Sequence, residues 1–210
     1  MEITTLGKGE EGRAAAVLAE AMFDDPVLGW LFPDPAGRAR AMPYAMGHFA
    51  ALAADGGQVL VEAAGRAASL WIARGDGGGT RSGDAPESGG GSESGGGPEG
   101  GEGPGDPGAA EALGPYTERL TALEGLIGAR RPAAPHLYLA VIGVLPEARG
   151  RGLGGAMLGH RLSGTDLPAY LEASSVRSRE LYLRHGFRPH GDPIRLPDGP
   201  AVFPMLRPAP

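Results

Sequence analysis

The sequence predicts an α/β domain, a sheet flanked by helices, because stretches with helical spacing alternate with short apolar runs along the chain. The strongest strand signal is residues 137–144, which are nearly all apolar and therefore suit the buried centre of a sheet. A glycine-rich loop and a new helix follow this strand closely. The 210 residues are enough for one domain whose core needs no disulfide or metal.

Residues 1–74 predict two helices and three strands. The first helix is rich in alanine, and Asp25-Pro26 should end or redirect it, because a residue before proline disfavours helical dihedrals. The predicted elements are a strand at 3–6, helices at 10–23 and 38–54, and strands at 58–63 and 67–73 joined by a turn at 64–66.

Residues 75–111 have the composition of a disordered insert. They are rich in Gly, Ser, Glu and Pro, so they cannot bury enough apolar surface to offset the entropy of ordering. They hold eight of the 25 acidic residues and one of the 19 basic ones, which leaves the rest of the chain close to neutral. We therefore expect a single domain, 1–210, interrupted by this segment. A nearly neutral domain argues against nucleic acid as the main partner.

The part of the chain after the insert predicts alternating helices and strands. Gly186 suits the position just past a helix, because glycine adopts left-handed dihedrals readily. The predicted elements are helices at 116–129, 153–163 and 178–185, and strands at 137–144, 167–173, 187–195 and 201–206.

The loop after strand 137–144 has the composition of a phosphate-binding loop. Glycines let the backbone approach a ligand, and the first N–H groups of the next helix have no partner within it. Together with the helix dipole these donors attract anions, and flanking arginines add charge-assisted hydrogen bonds. The residues concerned are Arg149, Gly150, Arg151, Gly152, Gly154 and Gly155.

Two interpretations of this loop compete. Gly150, Gly152 and Gly155 match the dinucleotide-binding pattern G-x-G-x-x-G, and Glu172 lies at the expected distance beyond it. That pattern normally begins directly after its strand, whereas a further turn intervenes here. Residues 173–210 are also too few to complete a doubly wound sheet.

The second interpretation depends on three motifs read together. Arg149-Gly150-Arg151-Gly152-Leu153-Gly154 reads as Arg, two residues, Gly, one residue, Gly; Leu171-Glu172-Ala173 and Leu181-Tyr182-Leu183-Arg184-His185-Gly186-Phe187 follow it. These motifs resemble the GNAT family of acetyl-CoA-dependent N-acetyltransferases. Within that family, Phe23-Asp24-Asp25-Pro26 and segment 136–207 are most similar to the puromycin N-acetyltransferase group.

The resemblance implies a mixed, mostly antiparallel twisted sheet of about seven strands, with a V-shaped splay between the fourth and fifth strands that admits acetyl-CoA as co-substrate. It implies a bulge in the fourth strand, which we expect at Gly143; the alternative is a glycine needed only to fit a neighbouring side chain. The backbone N–H of Ile142 or Val144 would polarise the thioester carbonyl. Relatives commonly have Asn where this chain has Ser178. The implied cofactor contacts, besides the loop residues, are Ile142, Gly143, Val144, Leu153, Arg177 and Ser178.

Acetyl transfer to an amine needs a group that removes the ammonium proton and one that protonates the leaving thiolate. Glu172 is the candidate base, because partial burial beside the splay would raise its pKa. The alternative for Glu172 is a solvated carboxylate or an ion pair with Arg177. Tyr182 resembles the family's proton donor, and the alternative is a core tyrosine packed on Phe187. The resemblance implies direct attack by the amine in a ternary complex.

The segment between the first two helices would line the acceptor side. Trp30 and Phe32 would form an apolar wall and Asp24 or Asp25 would attract a cationic amine, while ordinary core aromatics and helix-end acids are the alternative. The resemblance implies a small amine, such as an aminonucleoside or another antibiotic, in resistance or biosynthesis. A protein amine acceptor and a non-catalytic acyl-CoA-binding module remain open.

The remaining composition excludes other chemistry. Without cysteine there is no thiol nucleophile and no disulfide. No leader and no apolar run of about 20 residues is visible, so we expect a cytoplasmic protein, monomeric or homodimeric, without membrane partners. The histidines lack metal-site spacing, so no metal is expected and each should lie at the surface or a helix end: His48, His136, His160, His185 and His190.

Overall fold

The computed structural model describes residues 1–75 and 106–210 and confirms the α/β prediction. Within these residues, one eight-stranded sheet has helices on both faces. The strands are β1 (Ile3–Leu6), β2 (Gly57–Glu62), β3 (Ala67–Arg74), β4 (His136–Val144), β5 (Ala169–Ala173), β6 (Arg188–Pro189), β7 (Ile194–Arg195) and β8 (Ala201–Arg207). The helices are α1 (Gly12–Ala21), α2 (Pro26–Leu31), α3 (Pro35–Gly56), α4 (Pro107–Leu113), α5 (Thr117–Gly128), α6 (Leu153–Leu162) and α7 (Val176–Arg184).

The sheet is mixed and mostly antiparallel, with the order β1-β2-β3-β4-β5-β8-β6 and β7 paired to β8. Among the described strands, only β4 and β5 run parallel to each other. Their ladder holds two residue pairs, Leu137 with Ala169 and Tyr138 with Tyr170, and ends there. The rest of β4 therefore has no partner strand on that side, which is the splay expected between the fourth and fifth strands.

A bulge in β4 controls which backbone groups face the splay. Leu70 of β3 pairs with Val141 and Trp71 pairs with Leu139, so Ala140 is the extra residue. The N–H of Leu137 donates toward β5, to Pro168, whereas the N–H of Leu145 donates toward β3, to Arg66. Because alternate residues of a strand point their N–H groups the same way, the bulge turns the N–H groups of residues 142 and 144 toward the splay.

Gly143 does not mark the bulge, and that expectation was wrong. A Cβ at this position would lie 2.8 Å from Cβ of Ala21 and 3.0 Å from Cδ2 of Leu18. The glycine is therefore needed for the close approach of α1 to β4, which is the alternative that the sequence left open.

The core consists of two layers, one on each face of the sheet. Leu18, Met46 and Tyr170 belong to the layer beneath α1 and α3. Trp71 and Met157 belong to the layer beneath α6 and α7. Side chains of β4 and β5 contribute to both layers, as the continuous apolar run of β4 predicts.

Several elements differ from the sequence prediction. The prediction of a single strand at 187–195 is wrong, because this range contains two short strands, β6 and β7. Most of the predicted insert at 75–111 lies outside the described residues, but its end forms the start of α4, where Asp106 accepts a 2.8 Å hydrogen bond from the N–H of Gly108. His136, expected at the surface, is buried in β4 with 3% exposure. In the described parts, no helix combines the length and apolarity needed to cross a membrane.

Candidate active site

A cleft of about 650 Å³ opens where β4 and β5 separate. Its walls come from β4 and the α6 loop on one side and from the α2 and α7 starts on the other. The cleft brings together most of the residues that the sequence predicts for the cofactor and two predicted for the acceptor. These are Asp24, Asp25, Ile142, Gly143, Val144, Arg149, Gly150, Gly152, Leu153, Gly154, Gly155, Arg177 and Ser178.

The glycine loop presents free backbone donors to this cleft. Gly150 and Gly152 have φ angles of +78° and +79°, which side chains other than glycine rarely adopt. Gly152 begins α6, and no side chain caps that N-terminus or places an acid in its first turn. The first N–H groups of α6 are therefore available to an anion in the cleft.

Arg149 lines the cleft as predicted, and its side chain is also bonded to the backbone around the loop. Its Nε donates to the carbonyl of Val144 at 3.2 Å and its Nη2 donates to the carbonyl of Ala21 at 2.9 Å. The guanidinium therefore ties the loop to the ends of β4 and α1. Arg151 is exposed and does not line the cleft.

The opposite wall is the start of α7. Ser175 and Ser178 form a capping box, in which the Ser175 hydroxyl accepts from the N–H of Ser178 at 3.1 Å and the Ser178 hydroxyl accepts from the N–H of Ser175 at 3.2 Å. The hydroxyl of Ser178 is thus engaged in starting the helix. Arg177, the residue before Ser178, is exposed at the cleft. It forms no ion pair among the described residues.

Tyr182 lies in the core behind the cleft. Its ring packs edge-on against Phe187 at 5.9 Å and it is 6% exposed, as the core alternative describes. Burial raises the pKa of Tyr182, and the nearby charge of Asp25 raises it further, so the phenol keeps its proton at neutral pH. Tyr182 is not among the residues that line the cleft, and its role as proton donor stays a prediction.

Asp25 joins the two sides of the cleft. Its Oδ1 begins α2 by accepting from the N–H groups of Val27 at 2.9 Å and Leu28 at 3.3 Å. Its Oδ2 accepts a hydrogen bond from the hydroxyl of Ser174, just after β5. Burial raises the pKa of Asp25, and these hydrogen bonds oppose that shift. Asp24 is exposed at the cleft.

Glu172 lies on the other face of β5, away from the cleft lining. Its neighbours Leu171 and Ala173 point toward α6 and α7, so Glu172 points toward the α1 side together with Tyr170. The hydroxyl of Tyr138 donates a 2.9 Å hydrogen bond to its Oε2. Burial raises the pKa of Glu172, while this hydrogen bond and the charge of Arg131 lower it. No ion pair joins Glu172 to Arg177 in the described structure.

The two aromatic residues predicted for the acceptor are not in the cleft. Phe32 is fully buried and packs edge-on against Tyr116 at 4.9 Å, so it is a core residue and not an acceptor contact. Trp30 lines a separate pocket, and its Nε1 donates to the carbonyl of Pro197 at 2.7 Å. The core alternative therefore holds for Phe32.

Sequence reasoning missed the residues that connect distant segments. Ser174 is the hydrogen-bond partner of Asp25, and Tyr138 and Arg131 surround Glu172. One signal was present for Tyr138, because a tyrosine in a buried strand needs a partner for its hydroxyl. In the described ranges, no three His, Cys, Asp or Glu residues come together as a metal site.

Solved acetyltransferase structures share this fold, although no protein-family model matches the chain. A structure from Corynebacterium glutamicum, titled histone acetyltransferase HPA2 and related acetyltransferase, is 25% identical with a TM-score of 0.64, over 99% of this chain and 96% of that one. An acetyltransferase of the GNAT family from Streptococcus agalactiae is 12% identical with a TM-score of 0.51, over 100% and 95%. Arylalkylamine N-acetyltransferase 2 from Aedes aegypti is 11% identical with a TM-score of 0.54, over 98% and 97%. The chain therefore has the GNAT fold, and its similarity to the 25% identical acetyltransferase from C. glutamicum supports acetyltransferase activity.

Proposed function

We propose that this protein is an N-acetyltransferase that transfers the acetyl group of acetyl-CoA to the primary amine of a small molecule, by direct attack in a ternary complex. The observation that carries the proposal is the splay. Two residue pairs join β4 to β5, and beyond them a cleft opens that ends at the glycine loop. The 25% identical acetyltransferase from C. glutamicum, similar over nearly the whole length of both chains, supports the acetyltransferase activity but not the class of acceptor.

The residues of the cleft fit acetyl-CoA. The diphosphate suits the uncapped N-terminus of α6, where Gly150 and Gly152 leave the backbone accessible. The N–H groups of Ile142 and Val144 face the splay and would bond to the amide and thioester carbonyls of the pantetheine arm. When bound, acetyl-CoA supplies an activated acetyl group as a thioester.

Side chains and backbone groups of the protein would transfer the protons and stabilise the charge that develops during the reaction. The amine nitrogen bonds to the acetyl carbon while the carbon–sulfur bond breaks. Glu172 would take the ammonium proton on the acceptor side, since a carboxylate with a raised pKa is a stronger base than an exposed one. Tyr182 would give its proton to the departing thiolate, and a backbone N–H of β4 would stabilise the carbonyl oxygen as it gains charge.

The class of acceptor is the finer part of the proposal. The segment Phe23-Asp24-Asp25-Pro26 is similar to the puromycin N-acetyltransferase group and suggests an aminonucleoside or another antibiotic amine. A protein amine is the second candidate acceptor, favoured by the similarity to the C. glutamicum structure described as histone acetyltransferase HPA2 and related acetyltransferase.

Calorimetric titration with acetyl-CoA and, separately, NAD tests the cofactor, and a thiol-release assay tests the acceptor. We expect acetyl-CoA to bind and NAD not to bind. Thiol release is then measured with amines, amino acids, puromycin and a lysine-containing peptide. Release on small amines supports the proposal, release on the peptide alone supports a protein acceptor, and binding without any release indicates a non-catalytic module. NAD binding would overturn the acetyltransferase assignment.

A further inference from the structure

A polar cluster is buried on the α1 side of β4 and β5, and we call it the Tyr138 cluster. The hydroxyl of Tyr138 donates to Glu172, and two guanidinium groups lie over the Tyr138 ring, Arg131 at 4.9 Å and Arg74 at 5.9 Å from its centroid. Its members are Arg74 at the end of β3, Arg131 after α5, His136 and Tyr138 on β4, and Tyr170 and Glu172 on β5.

The Tyr138 cluster concentrates polar atoms that lack partners. Eight buried side-chain nitrogen or oxygen atoms have no hydrogen bond within the described residues, and five of them belong here. They are Nε of Arg74, Nε of Arg131, Nε2 of His136, the hydroxyl of Tyr170 and Oε1 of Glu172; the last two side chains lie close enough that Tyr170 lowers the pKa of Glu172, against the larger effect of burial. Buried polar groups are almost always paired in folded proteins, so this concentration of unpaired atoms indicates that a polar ligand binds here. Tyr170 is fully buried and His136 is 3% exposed, so surface water does not serve them.

The charges of the cluster indicate the chemical class of this ligand. Both guanidinium groups lie near one ring, at 5.9 Å for Arg74 and 4.9 Å for Arg131 from the centroid of Tyr138, and burial together with the charge of Arg131 lowers the pKa of Arg74. Burial lowers the pKa of Arg131, but the neighbouring Tyr138, Glu172 and Glu124 of α5 raise it, so the two carboxylates balance part of the charge. Two adjacent guanidinium groups favour a planar anion that accepts from both, and a carboxylate has that geometry.

The cluster contains the base of the proposed reaction, Glu172, so an amine bonded to Oε1 of Glu172 would lie on the Arg131 side of β5. Arg74, Arg131 and Glu172 are each only partly buried. In an α-amino acid the amine and the carboxylate are attached to the same carbon, which suits a base and a guanidinium that flank one tyrosine ring.

On the basis of the proposed function, we infer that the acceptor carries a carboxylate next to its amine, as an α-amino acid does. Arg131 and Arg74 bind the carboxylate, and the amine lies against Glu172 and the hydroxyl of Tyr170. This narrows the acceptor class within the proposed function, since amines without a carboxylate would leave the guanidinium pair without its anion.

Matched pairs of acceptors test the inference. Thiol release is measured with tyrosine against tyramine and with arginine against agmatine, using the full chain as wild type, Arg131→Gln and Arg130→Gln. Arg130 is the adjacent exposed arginine, and its variant removes the same charge outside the cluster. We expect the wild type to prefer the amino acid of each pair.

The expected effect of Arg131→Gln is selective. It should lower kcat/KM for the amino acids by about 10- to 100-fold, because a charge-assisted contact to the carboxylate is lost. The loss on tyramine and agmatine should be smaller, because these amines lack the carboxylate that Arg131 binds, so the ratio of the two kcat/KM values in each pair is the readout. A thermal midpoint close to wild type shows that the variant is folded. Arg130→Gln should resemble the wild type with all four compounds.

Two results would overturn the inference while the proposed function stands: a wild type that prefers tyramine and agmatine, or an Arg131→Gln variant that loses both members of each pair equally while keeping its thermal midpoint. If acetyl-CoA binds but no compound releases thiol, the proposed function fails and the inference fails with it. Should Arg131→Gln not fold, Arg131→Lys with the same pairs replaces it, and a selective loss on the amino acids is again the expected result.

Discussion

The hydroxyl of Ser174 donates a hydrogen bond to Oδ2 of Asp25, across 149 positions of sequence. Asp25 begins α2 with its other oxygen, and Ser174 follows the last residue of β5. One carboxylate therefore links the segment after α1 to the strand on the far side of the cleft. Because Asp25 also raises the pKa of Tyr182, this link places a negative charge near the candidate proton donor.

Replacing Asp25 should destabilise the fold. Asp25→Ala removes the N-cap of α2 and leaves the hydroxyl of Ser174 without its acceptor, so the free energy of unfolding should fall by about 1–3 kcal/mol. Urea denaturation measures the change. Asp24→Ala is the matched control, because Asp24 is exposed and has no hydrogen bond among the described contacts; its effect should stay within about 0.5 kcal/mol. Equal losses in both variants would show that the link contributes nothing.

Local sequence predicts the elements and the loop of this protein well. The glycine loop and the C-terminal end of α7 depend on residues a few positions apart, so their positions can be deduced from the chain alone, whereas the start of α7 was predicted at 178 and lies at Val176 after the Ser175 cap. Gly186 illustrates this, since its φ of +84° just past α7 agrees with the C-terminal position predicted for it. Strand β4 was predictable for the same reason, because its continuous apolar run requires burial on both faces.

Contacts between distant segments were not predictable. Asp25 was identified as a candidate acceptor contact, but its partner Ser174 carries no local signal, and neither does the position of Arg131 over Tyr138. The bulge was expected at Gly143 and lies at Ala140. Glycine is needed at 143 because α1, which is distant in the sequence, packs closely there. Such features depend on packing between elements, which spacing along one chain does not contain.

The packing of α1 on β4 can be tested with two glycine substitutions. Gly143→Ala would place a Cβ 2.8 Å from Cβ of Ala21, so α1 must move and the free energy of unfolding should fall by about 1–3 kcal/mol. Gly159→Ala lies in α6 with no atom within 4 Å of the new Cβ, and should stabilise the protein by about 0.5–1 kcal/mol. Thermal denaturation of both variants measures the difference. A neutral Gly143→Ala would mean that α1 can shift without cost.

Tyr182→Phe separates catalysis from packing. The ring contact with Phe187 is kept, so the thermal midpoint and the affinity for acetyl-CoA should remain close to wild type. Loss of the hydroxyl should lower kcat by about 10²- to 10⁴-fold, because the departing thiolate then lacks its proton donor. Steady-state kinetics and calorimetry measure the two effects. Phe187→Leu serves as the control. It disturbs the ring contact but keeps the Tyr182 hydroxyl, so its kcat should fall far less.

Glu172→Gln gives a prediction for pH in which stability and activity change in opposite directions. Burial raises the pKa of Glu172 in the folded state above its value of about 4.3 in the unfolded chain. The folded state therefore binds more protons than the unfolded state between those two pKa values, and this contribution to stability is complete below pH about 4.3 and is lost as pH rises through the folded pKa. Gln cannot ionise and still accepts from the hydroxyl of Tyr138 through its amide oxygen. The free energy of unfolding of Glu172→Gln minus that of wild type should thus increase as pH rises, and at neutral pH the variant should be at least as stable as wild type.

Activity should show the reverse preference, because the base must be ionised to accept the ammonium proton. In the wild type kcat should rise with pH through an ionisation above the usual glutamate range, and in Glu172→Gln that acid limb should disappear while kcat falls by about 10²- to 10⁴-fold. Urea denaturation and kcat across the same pH series measure both quantities on the same samples. A variant that keeps the acid limb would show that another group takes the proton, and Asp25, whose pKa burial also raises, is the residue to replace next.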